Sequence, residues 1–150
     1  MKLNTNKTKF NAVKVEYDGR KFDSKLECNI YKVLKERLTG YTSDLVITFQ
    51  PSFVLQEKFR FQGHLIRPIT YKADFAIFRY TGSQGPDATW EDEHELLAII
   101  DAKGLETPEF KIKRKLFIKK FGYDIVILKS MKQANSWCTN FLEEHVGLPI

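Results

Sequence analysis

Residues 96–104, with the sequence LLAIIDAKG, constrain the fold of this chain more than any other segment. A short, continuous apolar run that ends at a glycine is typical of a buried strand. Because strand side chains alternate between faces, Asp101 and Lys103 project to the same side, about 7 Å apart. Burying a charged pair is costly unless it has partners. The two residues are therefore either a weak exposed ion pair at the end of a strand or part of a functional site.

The length and composition of the chain predict one domain. With 150 residues, residues 13–150 can form a single core, preceded by a flexible basic arm over residues 1–12. No apolar run reaches the length of a membrane span, and the amino terminus does not resemble a secretory signal. Cys28 and Cys138 are predicted to be reduced thiols. These features favour an intracellular protein with no membrane partner.

The net charge of +5 is unevenly distributed along the chain. Basic residues concentrate in residues 1–25 and 109–120, whereas residues 85–95 contain several acidic residues and no Lys or Arg. Segregated basic patches favour a polyanionic partner such as DNA, although a solvated helix face has the same composition. The candidate nucleic-acid contacts are Lys9, Lys14, Arg20, Lys21, Lys111, Arg114 and Lys115.

Periodicity and turn residues predict an α/β fold, a mixed β-sheet flanked by helices with an N-terminal β-hairpin. The hairpin turns at Asp18-Gly19, and a helix capped by Asp23 or Ser24 follows to about Leu38. The remaining predicted elements are three or four strands, of which 69–80 is the longest and the strand before Gly104 is the last, then a helix over 108–121, a strand over 124–128, and a helix from Ser130 or Lys132 to about His145.

Asp74 is the second carboxylate of interest, because Asp is depleted in strand interiors. In one continuous strand over 69–80, it would share a face with Lys72 and Ala76, opposite Tyr71 and Phe75. If that strand pairs with the one ending at Asp101, the two carboxylates can meet. The alternative is a structural aspartate that accepts hydrogen bonds from a turn at the end of the sheet.

Glu27 and Lys113 are the other candidate site residues. Ser24-Lys25-Leu26-Glu27 has the spacing of a capping box, which would explain Glu27 on structural grounds alone. A glutamate in the first turn of a helix can also face a metal held beside the sheet. Lys113 falls within the apolar stripe of its helix, where it either extends to solvent or lies over the end of the Asp101 strand.

Two or three carboxylates with a lysine suit phosphodiester hydrolysis. Hard oxygen ligands favour Mg²⁺, with Mn²⁺ as a substitute, and the metal lowers the pKa of bound water and polarises phosphate. A nearby lysine stabilises the charge that develops during cleavage. Rival chemistries have little support, because the sequence contains no glycine-rich phosphate loop, no G-x-S-x-G motif and no Cys/His arrangement typical of catalysis or zinc binding.

The order of Glu27, Asp74 and Asp101-Ala102-Lys103, followed by a basic helix, resembles the PD-(D/E)xK nuclease superfamily. The segments 15–19 (VEYDG), 22–27 (FDSKLE), 67–75 (RPITYKADF) and 113–117 (KRKLF) resemble a family of small phage-encoded proteins assigned to that superfamily. The likeness covers roughly residues 9–128. It departs from the motif at Ala73, which stands where the motif has proline.

The resemblance implies a restriction-endonuclease-like fold in which Asp74 and Asp101 bind Mg²⁺, Lys103 is the catalytic lysine and Glu27 completes the metal site. It also matches Lys113 to a polar residue that enters the site in some branches. The implied function is a Mg²⁺-dependent DNA endonuclease, specific for branched or other structured DNA, acting in phage recombination or replication. The alternatives are a non-catalytic DNA-binding or assembly module and a metal-dependent RNA nuclease. Further candidate partners are a second copy in a homodimer and phage replication or recombination proteins, in the host cytoplasm if the protein is phage-encoded.

Overall fold

The computed structural model describes residues 13–147, so the predicted arm with Lys9 and residues 148–150 lie outside the described residues. Three α-helices and ten strands make up this part of the chain. In chain order they are β1 (Val15–Tyr17), β2 (Arg20–Phe22), α1 (Lys25–Leu34), β3 (Leu45–Phe49), β4 (Ser52–Gln56), β5 (Phe59–Phe61), β6 (His64–Ile66), β7 (Ile69–Lys72), β8 (Phe75–Tyr80), β9 (His94–Ala102), α2 (Pro108–Phe121), β10 (Val126–Leu128) and α3 (Met131–His145).

A four-stranded mixed sheet in the order β10-β9-β8-β3 forms the centre of the molecule. β3 and β9 both run antiparallel to β8, whereas β10 runs parallel to β9. The β1–β2 hairpin, the β4–β7 pair and the β5–β6 hairpin are separate two-stranded units. The predicted α/β class, with a mixed sheet, flanking helices and an N-terminal hairpin, is confirmed.

Helices cover both faces of the sheet. Phe75 and Ile77 of β8 pack in one cluster with α1 and α3, while Ala76 and Ile99 pack in a second cluster with Phe110 of α2. Strand alternation explains this division, since a sheet buried on both faces needs apolar residues at every position. Ser24, Thr107 and Ser130 cap the three α-helices, each accepting a hydrogen bond from a backbone N–H of the first turn.

The predicted single strand over residues 69–80 is wrong. The chain leaves β7 at Lys72 and enters β8 at Phe75, and the two strands pair with different partners. Tyr71 and Ala73 consequently pack in the cluster under α2, together with Ala76, instead of sharing a face with Phe75. Asp74 lies at the junction, where its backbone carbonyl accepts a hydrogen bond from the N–H of Gln50 at 2.9 Å.

Two other expectations need correction. The predicted three or four central strands become seven between α1 and α2, because β5 and β6 form a hairpin and residues 69–80 divide. Helix α1 is α-helical only to Leu34 and continues as a π-helical turn over Lys35–Thr39, close to the predicted end. Cys28 and Cys138 are buried free thiols, as predicted. None of the helices in residues 13–147 is both long enough and apolar enough to cross a bilayer.

Candidate functional site

Sheet pairing brings Asp74 and Asp101 together. Phe75, the first residue of β8, is paired with Ile100 near the end of the antiparallel strand β9. Asp74 precedes Phe75 and Asp101 follows Ile100, so both carboxylates lie at the same end of the sheet. Their carboxyl groups are within hydrogen-bonding contact. The sequence-based expectation that the two residues meet if their strands pair is therefore confirmed.

Neighbouring groups hold both carboxylates in place. The hydroxyl of Tyr71 donates to Oδ2 of Asp101 at 2.5 Å, and the backbone N–H of Ala102 donates to Oδ2 of Asp74 at 2.8 Å. Asp101 is only 2% exposed. Its charge has one nearby cation among the described residues, the Nζ of Lys103 at 3.4 Å from Oδ2. The Lys103 ammonium also lies 4.7 Å from the centre of the Phe110 ring.

Glu27 both caps its helix and faces the acidic pair. Its backbone N–H donates to Oγ of Ser24 at 3.1 Å, and its Oε2 accepts from the N–H of Asp23 at 3.3 Å, which completes the capping box. The side chain is nevertheless buried and close enough to Asp101 and Lys103 for their charges to act on it. Helix capping is thus only part of its environment.

Burial of several carboxylates in one place makes their ionisation costly. Desolvation is the main reason that the pKa of Glu27 rises from 4.5 to about 7, with repulsion from Asp23 second. The pKa of Asp74 lies well above its usual range, because of its burial and then its contact with Asp101. Burial and the adjacent Asp101 also raise the pKa of Tyr71, which keeps its hydroxyl a hydrogen-bond donor. Such a cluster of negative charge is stabilised by a proton or a cation.

Two open grooves adjoin the carboxylates. One has a volume of about 380 Å³ and is lined by Glu27 together with Arg20 and Lys21 of the β1–β2 hairpin, Phe49 and Gln50 among others. The other, of about 400 Å³, is lined by residues that include Lys103, Lys72 and Lys113. Basic side chains therefore line both grooves, the first beside Glu27 and the second beside Lys103, the ion-pair partner of Asp101.

The remaining predicted site residues occupy different environments. Lys113 forms an ion pair with Glu109 at 2.9 Å on the rim of the second groove, on the same side as Lys103. The guanidinium of Arg114 binds both carboxylate oxygens of Asp124 at 2.8 and 2.6 Å, which gives it a structural role. The other predicted nucleic-acid contacts within the described residues are exposed, namely Lys14, Arg20, Lys21, Lys111 and Lys115.

The oxygen ligands at the sheet end suit a divalent cation. Among residues 13–147, no three His, Cys, Asp or Glu side chains come together closely enough to hold a metal ion. Mg²⁺, however, is commonly held by one or two carboxylates, with water and substrate phosphate as its other ligands. Asp74 and Asp101 supply such a pair, and its buried negative charge is only partly compensated by Lys103.

Comparison with known proteins assigns the chain to a family. A family model described as a protein of unknown function (DUF1064) matches residues 7–135. The chain belongs to the DUF1064 family. No curated protein matches the chain, and no solved structure matches it.

The matched region contains all the residues of the site, including two contributors that sequence analysis missed in this DUF1064 chain. The sequence places Tyr71 only on a strand face, and the backbone N–H of Ala102 leaves no mark in a sequence. Aromatic residues occur throughout the core, so the type of residue at position 71 does not reveal a hydroxyl that reaches Asp101. The only local signal is that Tyr71 stands three residues before Asp74.

Proposed function

We propose that this protein is a metal-dependent nuclease that cleaves phosphodiester bonds in DNA. The observation that carries the proposal is the contact between the carboxyl groups of Asp74 and Asp101, with Lys103 3.4 Å from Asp101. A buried acidic pair beside a lysine and near two basic grooves is poorly suited to a purely structural role, since it disfavours folding unless a cation binds. The resemblance to the PD-(D/E)xK superfamily supports the same conclusion.

Each residue has a distinct role in the proposed reaction. Asp74 and Asp101 would hold Mg²⁺, or Mn²⁺ in its place, and Tyr71 keeps the Asp101 carboxylate oriented. The bound metal would supply Lewis acidity toward phosphate and a water of lowered pKa. Lys103 stabilises the negative charge that develops on the phosphate during attack. Glu27 adds a further buried carboxylate beside the pair, on the side of the first groove.

DNA is the substrate that the charge distribution favours. Basic side chains line both grooves, namely Arg20 and Lys21 in the first and three lysines in the second, and this arrangement suits a phosphate backbone that runs past the acidic pair. The acidic segment 85–95 leads into the start of β9, about 25 Å from Asp101 at the other end of that strand, where it does not repel the substrate. The same proposal includes branched or flapped DNA as the substrate. It also includes phage recombination or replication proteins as partners, a homodimer, and an intracellular location.

A cleavage assay tests the proposal. Purified protein is incubated with labelled linear, flapped and four-way DNA, and with RNA of the same sequence, in Mg²⁺, Mn²⁺ or EDTA. We expect DNA cleavage that requires metal and is lost in Asp101→Asn. DNA binding without cleavage of any substrate would instead favour the non-catalytic module. Preferential cleavage of RNA would favour the RNA nuclease.

A further inference from the structure

The β5–β6 hairpin is the most exposed part of the described structure. Every residue from 56 to 68 is solvent-exposed, including Phe59 at 46%, Phe61 at 60% and Leu65 at 54%. The two strands pair only with each other, and Gln62-Gly63 closes them in a two-residue turn with both φ angles positive. An isolated two-stranded ribbon is marginally stable in water. Exposed phenylalanines on such a ribbon therefore indicate a surface that acts in binding.

The charges on this ribbon are positive apart from Glu57, which lies 4.0 Å from Lys120 Nζ. Lys58, Arg60 and Arg67 accompany the two phenylalanines, and none of the three forms an ion pair with another described residue. Residues 58–73 contain no Asp or Glu. Strand alternation places Phe59 and Phe61 on one face of the ribbon and Arg60 on the other. Aromatic rings and cations on the two faces of one thin ribbon suit single-stranded nucleic acid, where bases stack on aromatic rings and the flanking phosphates contact Lys and Arg.

The ribbon is also connected to the acidic site. Arg67 and Pro68 lead directly into β7, whose last residue Lys72 lines the groove shared with Lys103. Seven residues separate Arg67 from Asp74, so their Cα atoms are at most about 23 Å apart. A nucleic-acid strand of several nucleotides covers that distance. One nucleic-acid strand could therefore contact the ribbon and the acidic pair together.

We propose that the β5–β6 hairpin binds unpaired bases of a nucleic-acid substrate, with Phe59 and Phe61 stacking on bases and Lys58, Arg60 and Arg67 contacting phosphates. The inference rests on the proposed function and extends it, because it explains a preference for DNA with single-stranded segments. A second copy of the chain is a less suitable occupant. In a twofold contact the same patch would face itself, which would bring the three cations close to their own copies.

Binding measured in EDTA tests the ribbon separately from catalysis. Fluorescence anisotropy compares wild type with Phe59→Leu/Phe61→Leu, which keeps apolar side chains but removes the rings, and with Phe59→Tyr/Phe61→Tyr, which keeps the rings. The probes are a labelled single-stranded oligonucleotide and the duplex of the same sequence. We expect the leucine variant to bind the single strand roughly tenfold or more weakly, with a smaller effect on the duplex. The tyrosine variant should bind like wild type.

The alternative outcomes are distinct. Equal affinity of the leucine variant and wild type for the single strand would overturn the inference. So would a wild-type dimer in sedimentation that becomes monomeric in Phe59→Ser/Phe61→Ser with unchanged DNA affinity. If wild type binds through the ribbon but cleaves nothing with Mg²⁺ or Mn²⁺, the nuclease proposal fails and the ribbon inference stands. If it cleaves but the ribbon variants bind normally, the ribbon inference alone fails.

Discussion

The hydroxyl of Tyr71 donates a 2.5 Å hydrogen bond to Oδ2 of Asp101, although Tyr71 precedes the break between β7 and β8 and Asp101 lies at the end of β9. The same carboxylate oxygen lies 3.4 Å from Lys103 Nζ. The ring of Tyr71 is fixed by packing near Phe110 and Phe117 of α2. The break in the chain at Asp74 thus places a buried donor and a second carboxylate against the D-x-K motif.

Removal of that hydroxyl should destabilise the protein. A buried hydrogen bond to a charged group contributes about 1.5–3 kcal/mol, so Tyr71→Phe should lower the free energy of unfolding by about that amount in urea. Tyr123→Phe is the matched control, because the Tyr123 hydroxyl has no hydrogen-bond partner among the described residues. A Tyr71→Phe variant as stable as wild type would show that the contact makes no net contribution.

Replacement of Glu27 should increase stability and reduce activity. The pKa of Glu27 is raised in the folded protein from 4.5 to about 7. Its contribution to stability is therefore fully present below pH 4.5 and is lost as the pH rises to about 7. Glu27→Gln keeps an acceptor for the capping box. We expect it to raise the free energy of unfolding at pH 8 by up to about 3 kcal/mol, with little change near pH 4.

Urea unfolding at the two pH values checks this expectation, with Glu36→Gln as an exposed control on the adjoining π-helical turn. Cleavage by Glu27→Gln should be slower than cleavage by wild type. If Glu27→Gln is less stable than wild type at pH 8, the ionised carboxylate of Glu27 stabilises the folded protein, contrary to this expectation. An equally active variant would restrict Glu27 to helix capping.

DNA affinity should depend steeply on salt. The logarithm of the binding constant falls by about 0.9 per phosphate contact for each unit of log salt concentration. Lys21 is exposed and lines the groove that holds Glu27, so Lys21→Ala should reduce that slope by about one. Arg114→Ala should leave the slope unchanged and lower stability, because Arg114 is bound to Asp124. If the affinity for DNA does not change with salt concentration, the basic residues of the two grooves do not contact phosphates and are ordinary solvent-exposed side chains.

Local signals account for the parts of the fold that the sequence predicted well. The capping residues Ser24 and Ser130, Pro108 at the start of α2, the Asp18-Gly19 turn and the apolar run before Asp101 each act within a few residues. The β5–β6 hairpin had a comparable signal in Gln62-Gly63 between aromatic and branched residues. Its polar and charged residues made it resemble a connection.

Other features depend on contacts between distant segments. The break at Asp74 reflects the pairing of β7 with β4 and of β8 with β3 and β9, which alternation within residues 69–80 does not encode. The hydrogen bond from the Tyr71 hydroxyl to Asp101 likewise joins segments that are distant in the sequence. Asp101 and Lys103 were predicted to share a face, since strand geometry alone fixes that relationship. The contact of Asp101 with Asp74 required the sheet register.

A rate measurement with Lys103→Ala tests the central claim most directly. This variant keeps both carboxylates of the acidic pair, so DNA binding should be nearly unchanged while single-turnover cleavage in Mg²⁺ falls by about 100- to 1,000-fold. Lys119→Ala, an exposed lysine near the other end of α2, is the matched control and should cleave at the wild-type rate. Cleavage by Lys103→Ala at the wild-type rate would contradict the assignment of the Asp101-Ala102-Lys103 site.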